Sequence, residues 1–417
     1  MTRLRDLRGP LLVGALLALC SWAVISFVHV FADWLLGDAR AYEAWGNLAT
    51  NHALPYRDFH VEYPPGALPA FILPVYLHKL FAYHGSYFDW LRVELLCLQL
   101  GCLVAMASAL LRLGASRARA YRALAVAGAG SGILGPISFF HYDWWPAFLA
   151  VAALASLLAG RGVLACGLAA AGAAAKVFPI LLVPFALAEL WRHGRWRAVA
   201  LGSAAAAAVL VVAVVPFAVL APHGLGWAIH RELHRPLEVE SVGTSVFVVA
   251  HHLGVYDLHA VFEAGSRNIA GPGPHAVIRL LSVLTALSLV TVFVLWLRSR
   301  RSGEELVLAV CAALVAYIVF SKVFSPQYLI WLLPLVPLVG GRVGVRATGL
   351  LVAILAVTQI FEPYRWSQYW HFRTPWLDWV VVGRNVLVLT LLVVLVEPLV
   401  REARARKTAT VPALQPE

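Results

Sequence analysis

Directly after the first apolar run the chain reads GDARAYEAWGNLATNHALPYRDFHVEYPPGALP, Gly37 to Pro69, and this stretch holds its densest group of side chains able to move protons or bind ions. From Asp38 the pattern is helical, because Asp38, Tyr42 and Trp45 recur at i, i+4 and i+7 and so share one face. A carboxylate that can take a hydroxyl proton is thereby set beside two aromatic rings. From Tyr56 the prolines favour extended chain, since Pro64 steers Tyr63 away from helix. Period-two geometry then predicts Tyr56, Asp58, His60 and Glu62 along one side.

Polar side chains also punctuate other helix ends. They are His141, Tyr142 and Asp143 in FFHYDWWP; Lys176 in AAAKVFPILLVP; Arg231, His234, Arg235, Glu238 and Glu240 in HRELHRPLEVES; and Lys322, Gln327 and Tyr328 in FSKVFSPQYLIWLLP. Brought together, they make a charged cavity above an apolar floor. Lysine and arginine hold phosphate and aromatics stack on sugar rings, so the cavity fits an amphiphile with a sugar, a phosphate and a polyprenyl tail.

The elements that must position these groups are membrane helices. Of 417 residues 61% are hydrophobic and 13% charged, against about 25% charged in soluble domains. In hydrocarbon every backbone polar group needs an internal partner, so apolar runs of this length form helices. The formal charge of +11 is not a nucleic-acid footprint, because the arginines stand in short clusters between apolar runs. The clusters are Arg3, Arg5, Arg8; Arg112, Arg117, Arg119, Arg122; Arg161; Arg192, Arg195, Arg197; Arg298, Arg300, Arg301; Arg342, Arg346; and Arg401, Arg404, Arg406, Lys407. They hold 20 of the 33 Lys and Arg but only 7 of the 22 acids.

Placing every cluster on the cytoplasmic side predicts about twelve spans, near 10–32, 89–112, 123–140, 146–160, 162–176, 177–191, 198–220, 275–298, 305–321, 327–341, 346–361 and 376–399. Both termini are then cytoplasmic, and the long polar segments 33–88 and 222–274 are external. The expected organisation is one all-α polytopic membrane domain over 1–400 with a cytoplasmic tail over 401–417, disordered from Thr408. Pro65 to Tyr83 is apolar enough to cross, but a crossing there would reverse the next basic cluster; it is expected as a broken interfacial helix in the first outer loop. The run from Pro10 to Ala32 is too long for a signal peptide and reads as an uncleaved first helix. Five cysteines without a CxxC pair predict no disulfide framework and no zinc site.

Taken together, the Asp38 helix, the PYxDFxxEYPP segment, the HYDWWP turn, the KxxP pair at Lys176 and SKVFSPQYLIWLLP resemble glycosyltransferase family 87, a branch of the glycosyltransferase-C superfold. The similarity runs patchily from about residue 30 to 340, strongest in the first outer loop. It implies a multi-spanning enzyme of the cell membrane that takes mannose or a related hexose from a polyprenyl-phosphate donor, outside, and passes it with inversion to a lipid or glycan acceptor. The first-loop aspartate taken as general base in that family maps onto Asp38. The chain departs at the HYD turn, where relatives often carry arginine and His141 stands instead.

On this reading Asp38 is the catalytic base, and Tyr42, Tyr56, Glu62, Tyr63, Asp143, Lys176, Arg235, Glu240, Lys322, Gln327 and Tyr328 contact substrate. Lys322 and Arg235 meet the phosphate charge, with Lys176 in support, and no metal or other cofactor is expected. The partners are the donor, the acceptor and membrane lipid, with no nucleic acid. Plainer roles stand beside these. Asp38 could be only an N-cap after Gly37, and Asp33 is a rival base. Lys176 and Lys322 could snorkel to headgroups. His230 and His234 have metal spacing but no third ligand, and so read as a solvated helix face. Trp366, Trp370, Trp376 and Trp379 read as an interfacial belt. A transporter or lipid flippase is the alternative class, though repeated halves and broken midplane helices are not evident in the sequence.

Overall fold

The computed structural model describes residues 4–27, 36–81, 84–263, 265–271, 273–369, 372 and 374–409. Asp33, Trp370 and the tail from 410 lie outside the described residues.

Helix α1 (Leu4–Phe27) lies along α5 (Arg117–Leu134), with α4 (Tyr87–Arg112) beside both. The close approach of α1 and α5 depends on glycine, because a Cβ on Gly128 would collide with the Gly14 carbonyl. Small residues let membrane helices touch backbone to backbone in this way. The α4 start is set by a capping box in which Ser86 accepts from the Asp89 amide and Asp89 returns the bond. Between α1 and α4 stand α2 (Gly37–Thr50) and α3 (Leu68–Leu80), packed on each other, with Tyr42 stacked on Phe71 at 4.5 Å between ring centroids.

After α5 come α6 (Ile137–Phe140), α7 (Trp144–Leu158), α8 (Gly162–Ala175), α9 (Leu182–Arg192) and α10 (Trp196–Leu220). The second long polar segment contains α11 (Pro222–Leu233), α12 (Thr244–His252) and the antiparallel strands β1 (His259–Glu263) and β2 (Ser266–Ala270). The chain closes with α13 (Pro274–Arg298), α14 (Gly303–Val319), α15 (Leu329–Leu332), α16 (Gly341–Phe361), α17 (Trp366–Tyr369) and α18 (Pro375–Ala409). Helix α14, opened by a second capping box at Ser302 and Glu305, is buried along nearly its whole length.

Among the described residues six helices are long and apolar enough to cross a membrane: α1, α4, α10, α13, α16 and α18. The expectation of about twelve such helices is met only in part, and the reason is local. The run expected over 123–140 breaks at Gly135 and Pro136, and that over 177–191 begins as a 3-10 turn at Phe178–Leu181 around Pro179. The run over 327–341 is interrupted by Pro334 and Pro337 into 3-10 and α pieces. Helices α7 and α8 have 15 and 14 residues, so α8 rises only about 21 Å, short of a hydrocarbon layer of about 30 Å.

Three further details differ from expectation. The all-α reading omitted the β1–β2 hairpin, whose edge is extended by residues 237–239: the Ile269 amide donates to Leu237 and the Val239 amide to Arg267. Helix α3 runs unbroken through Pro74. Helix α18 continues past the 401 boundary to Ala409.

Several of the basic clusters share one end of the bundle. Arg119 binds Glu304 and the Leu338 carbonyl, Arg122 reaches the Val339 carbonyl, Arg192 the Arg301 carbonyl, and Arg406 the Ser299 carbonyl, while Arg300 pairs with Glu402. These contacts tie together the ends of α5, α9, α13, α14 and α18. At their opposite ends stand the polar segments described next. All five cysteines are free.

Candidate active site

Asp38 lies in the first turn of α2, and it is not the helix cap: Leu36 holds that position and no side chain caps the helix. Its carboxylate is surrounded by protein yet 46% exposed, so it faces an opening. His141, from the turn between α6 and α7, places Nε2 3.5 Å from Asp38 Oδ2. The other ring nitrogen, Nδ1, donates to the Ile137 carbonyl at 2.9 Å. Burial alone would raise the Asp38 pKa. The hydrogen bond and charge of His141, aided by Lys176 and Arg235, outweigh it, and the carboxyl sits below its ordinary 3.8. For His141 burial likewise acts first, downward, but Asp38 and then Asp143 lift the imidazole above 6.5.

Behind this pair, Asp143 is fully buried. Its Oδ1 accepts from the Lys176 ammonium and from the Trp331 indole, each at 2.6 Å, while Oδ2 has no hydrogen-bond partner. Lys176 follows the last turn of α8 and stands in an aromatic box: its Nζ is 5.8 Å from the Tyr63 ring centroid, 5.1 Å from Tyr142, 5.3 Å from Tyr328 and 5.3 Å from Trp331. Tyr328 and Trp331 stack at 4.0 Å. Tyr42 joins from α2, its hydroxyl donating to that of Tyr63 at 3.5 Å. Gly66 allows the first loop to reach this box, because a Cβ there would collide with the backbone of Ala174 and Ala175, next to Lys176.

The second polar segment supplies the remaining charges. Arg231 Nη2 pairs with Glu62 at 2.6 Å, both partly exposed. Burial raises Glu62 despite Arg231 and Arg235. Arg235, 18% exposed, lies 3.6 Å from Glu232 and 3.8 Å from Glu238. Its charge also bears on Asp38, Glu62 and Lys322. Lys322 donates to the Leu233 carbonyl at 2.6 Å, and burial lowers its pKa.

The structure therefore gathers Asp38, Tyr42, Glu62, Tyr63, Asp143, Lys176, Arg235, Lys322 and Tyr328 in one neighbourhood. Gln327 is half-buried in the adjoining 3-10 turn. Tyr56 and Glu240 do not join them. Tyr56 is 2% exposed, packs on Phe217 and donates to the Tyr63 carbonyl at 2.6 Å. The expected extended strand is absent because Asp58 accepts from the Leu54 amide and folds 54–59 into a turn, with Tyr56 at φ +68°. Glu240 is buried beside Arg384 of α18, which donates to its backbone carbonyl at 2.8 Å.

Sequence reasoning missed four contributors. His141 stands in the sequence among the polar helix-end residues and as a departure from the family pattern, but its partner Asp38 is not legible there. Trp331 reads as one more residue of an apolar run, and Tyr142 reads as a polar helix-end residue with no assigned role. Glu238 was noted without a role; its carboxylate accepts from the Phe324 amide and the Ser325 hydroxyl, both at 2.7 Å, and so fastens the segment carrying Lys322 and Tyr328. His230 and His234 stack at 3.9 Å, and among the described residues no group of three or more His, Cys, Asp or Glu is placed to hold a metal. Trp376 and Trp379 are exposed, as a belt residue would be. A cavity of about 270 Å³ by Glu189 and Arg301, and an apolar groove of about 470 Å³ between α13, α14 and α18, share no lining residue with this site.

In comparison with known proteins, a family model described as Mannosyltransferase (PIG-M) matches residues 249–364. No curated protein matches the chain. The matched stretch contains Lys322, Gln327 and Tyr328, and with the apolar helices it supports a membrane mannosyltransferase.

Proposed function

We propose that this chain transfers a hexose, mannose by the family match, from a polyprenyl-phosphate donor to a hydroxyl of a lipid or glycan acceptor, in the manner of family 87 enzymes. The reaction takes place on the extracytoplasmic face, with the basic ends of the helices and both termini in the cytoplasm. The observation that carries this reading is a half-exposed carboxylate, Asp38, facing the same neighbourhood as the Arg235 guanidinium and an aromatic wall.

The transfer is a single displacement. The acceptor oxygen attacks the anomeric carbon, its proton goes to Asp38, and the bond from that carbon to the phosphate oxygen breaks with the electron pair leaving on phosphate. Inversion follows from attack opposite the leaving group. Arg235 meets the charge that grows on phosphate, because its fixed fork suits phosphate oxygens, with Lys322 adding a second cation. Tyr63, half-buried, gives an apolar face for the sugar ring, whereas Tyr42, expected to touch substrate, is 0% exposed and with the buried Tyr328 supports the aromatic wall from within. Lys176 is already paired with Asp143 and acts chiefly by holding the aromatic wall.

The test is transfer of labelled mannose from polyprenyl-phosphate mannose in membranes containing the wild-type chain or Asp38→Asn. Loss of about 100-fold or more in rate is expected for removal of a general base. A variant as active as wild type would reject Asp38 as the base. Wild-type membranes inert with every polyprenyl-phosphate hexose offered would reject the donor class.

A further inference from the structure

The pairing of His141 with Asp38 has a directional hydrogen-bond pattern. Because Nδ1 donates to the Ile137 carbonyl, the proton on that nitrogen stays in place. Nε2 is then the nitrogen that titrates, and it is the one directed at Asp38 Oδ2, 3.5 Å away. The imidazole is 13% exposed, while Asp38 opens to solvent. The aspartate therefore has one side toward the opening and the other toward a largely buried imidazole. Such an arrangement makes the carboxylate the group that touches the acceptor hydroxyl and the imidazole the group that keeps the proton.

We infer that His141 is the relay partner of Asp38, receiving on Nε2 the proton that Asp38 takes from the acceptor hydroxyl. This rests on the assignment of Asp38 as base. The acceptor O–H bond breaks as its oxygen joins the anomeric carbon, and the proton forms a carboxylic acid on Asp38. The hydroxyl so made turns from substrate to imidazole and gives up its proton. The products of the step are the Asp38 carboxylate and a His141 imidazolium, and the electron pair of the broken glycosyl bond remains on phosphate. His141 acts through Asp38 and touches no substrate, so it is a positioning and relay residue.

The surroundings favour that final state. Asp38 from α2 and Asp143 from the same turn both lift the imidazole pKa against the effect of burial. Lys176 beyond α8 and Arg235 from the second polar segment act on Asp38 in the opposite sense, holding it ionised. Arg92 of α4 lies over the ring of Phe140, the residue before His141, and is itself paired with Asp89. Tyr42, Tyr63 and Tyr142 stay neutral, since burial drives each well above the ordinary phenol range. Turnover needs the imidazole free of its proton beforehand. At low pH the dyad already holds that proton, and Asp38 is then a carboxylate of depressed basicity with nowhere to pass a second one.

The experiment uses the full-length chain in lipid nanodiscs, with polyprenyl-phosphate mannose as donor and kcat and KM measured from pH 5.5 to 9. Wild type is expected to gain rate with pH through one inflection above 6.5. His141→Gln, which can still donate to a carbonyl, is expected to lose the inflection and about 10- to 100-fold in kcat on the plateau, with little change in KM. His141→Ala is expected to recover part of its rate when free imidazole is added, which decides the matter if the glutamine variant does not fold. A glutamine variant with the wild-type rate and inflection, or an alanine variant that imidazole cannot rescue, would overturn the relay. Asp38→Asn tells the two levels apart: inactive Asp38→Asn with silent His141 variants removes only the relay, whereas active Asp38→Asn removes the base itself.

Discussion

Lys176 donates to Asp143 Oδ1 at 2.6 Å, and the carboxylate it reaches has no exposed surface. The lysine's charge is thus compensated from below, and its ammonium is held among four aromatic rings. Removing one partner of a buried pair leaves the other charge without compensation, at a cost of about 3 kcal/mol. Lys176→Met should lower the thermal unfolding midpoint in nanodiscs by several degrees, and Asp143→Asn should do likewise. The double variant should be more stable than the sum of the two losses, since neither charge is then stranded. Additive losses would show that the contact carries no coupling.

Glu62 and Arg231 form the contrasting case, with side chains 40% and 26% exposed. A pair so open to solvent contributes at most about 1 kcal/mol. Glu62→Gln should leave the unfolding midpoint nearly unchanged. Because it removes a negative charge beside Arg231 and Arg235, it should lower KM for the phosphate-bearing donor a few-fold, an effect that fades in high salt. A higher KM with a lower kcat would instead place the Glu62 carboxylate on the substrate.

The sequence makes the type of protein readable and marks where its polar clusters stand, because both depend on short-range signals. Apolar runs between arginine clusters mark helices and their ends, and the described contacts do bring several of those clusters to one end. Asp38, Lys176 and Lys322 stand at polar helix ends, and the charges of Lys176 and Arg235 bear on Asp38. What failed needed three-dimensional information. Tyr56 and Glu240 have the right chemistry, but one is turned inward by the Asp58 turn and the other is covered by α18. The helix breaks at Pro136, Pro179 and Pro337 fall inside apolar runs, where hydropathy continues across a change of direction. The pairing of His141 with Asp38 joins residues about a hundred positions apart, and no local pattern encodes it.

That pairing also gives stability and rate opposite responses to pH. The Asp38 pKa is lowered, so its contribution is present above the unfolded value of 3.8 and is lost as pH falls through the folded value. The His141 pKa is raised, so its contribution is complete below 6.5 and is lost as pH rises through the folded value. The ion pair therefore stabilises the fold most between about 4 and 6.5, the window bounded by those two reference values. The difference in unfolding midpoint between wild type and His141→Gln should be largest near pH 5.5 and shrink toward pH 8.5, while transfer rises over the same interval. A difference that grows with pH would contradict an ion pair at this position.

Glu238 tests whether the catalytic neighbourhood is assembled by the second polar segment. Its two oxygens accept from the Phe324 amide and the Ser325 hydroxyl, and its own amide donates to the Lys322 carbonyl at 3.0 Å, so three consecutive contacts fix the approach to Tyr328. Burial raises the carboxyl pKa, opposed by Arg235 and by the hydrogen bonds from Ser325 and Phe324. Glutamine keeps one oxygen to accept from the Phe324 amide, and its amide nitrogen can donate to the Ser325 hydroxyl in place of the bond that hydroxyl now donates. Alanine leaves the buried Phe324 amide without an acceptor, at a cost of about 2 to 3 kcal/mol. Glu238→Gln should therefore keep most of the stability and activity, and Glu238→Ala should lose both, with KM for the donor rising because Lys322 and Tyr328 are released together. Equal activity in the two variants would mean that the 322–328 segment holds its shape without the second polar segment.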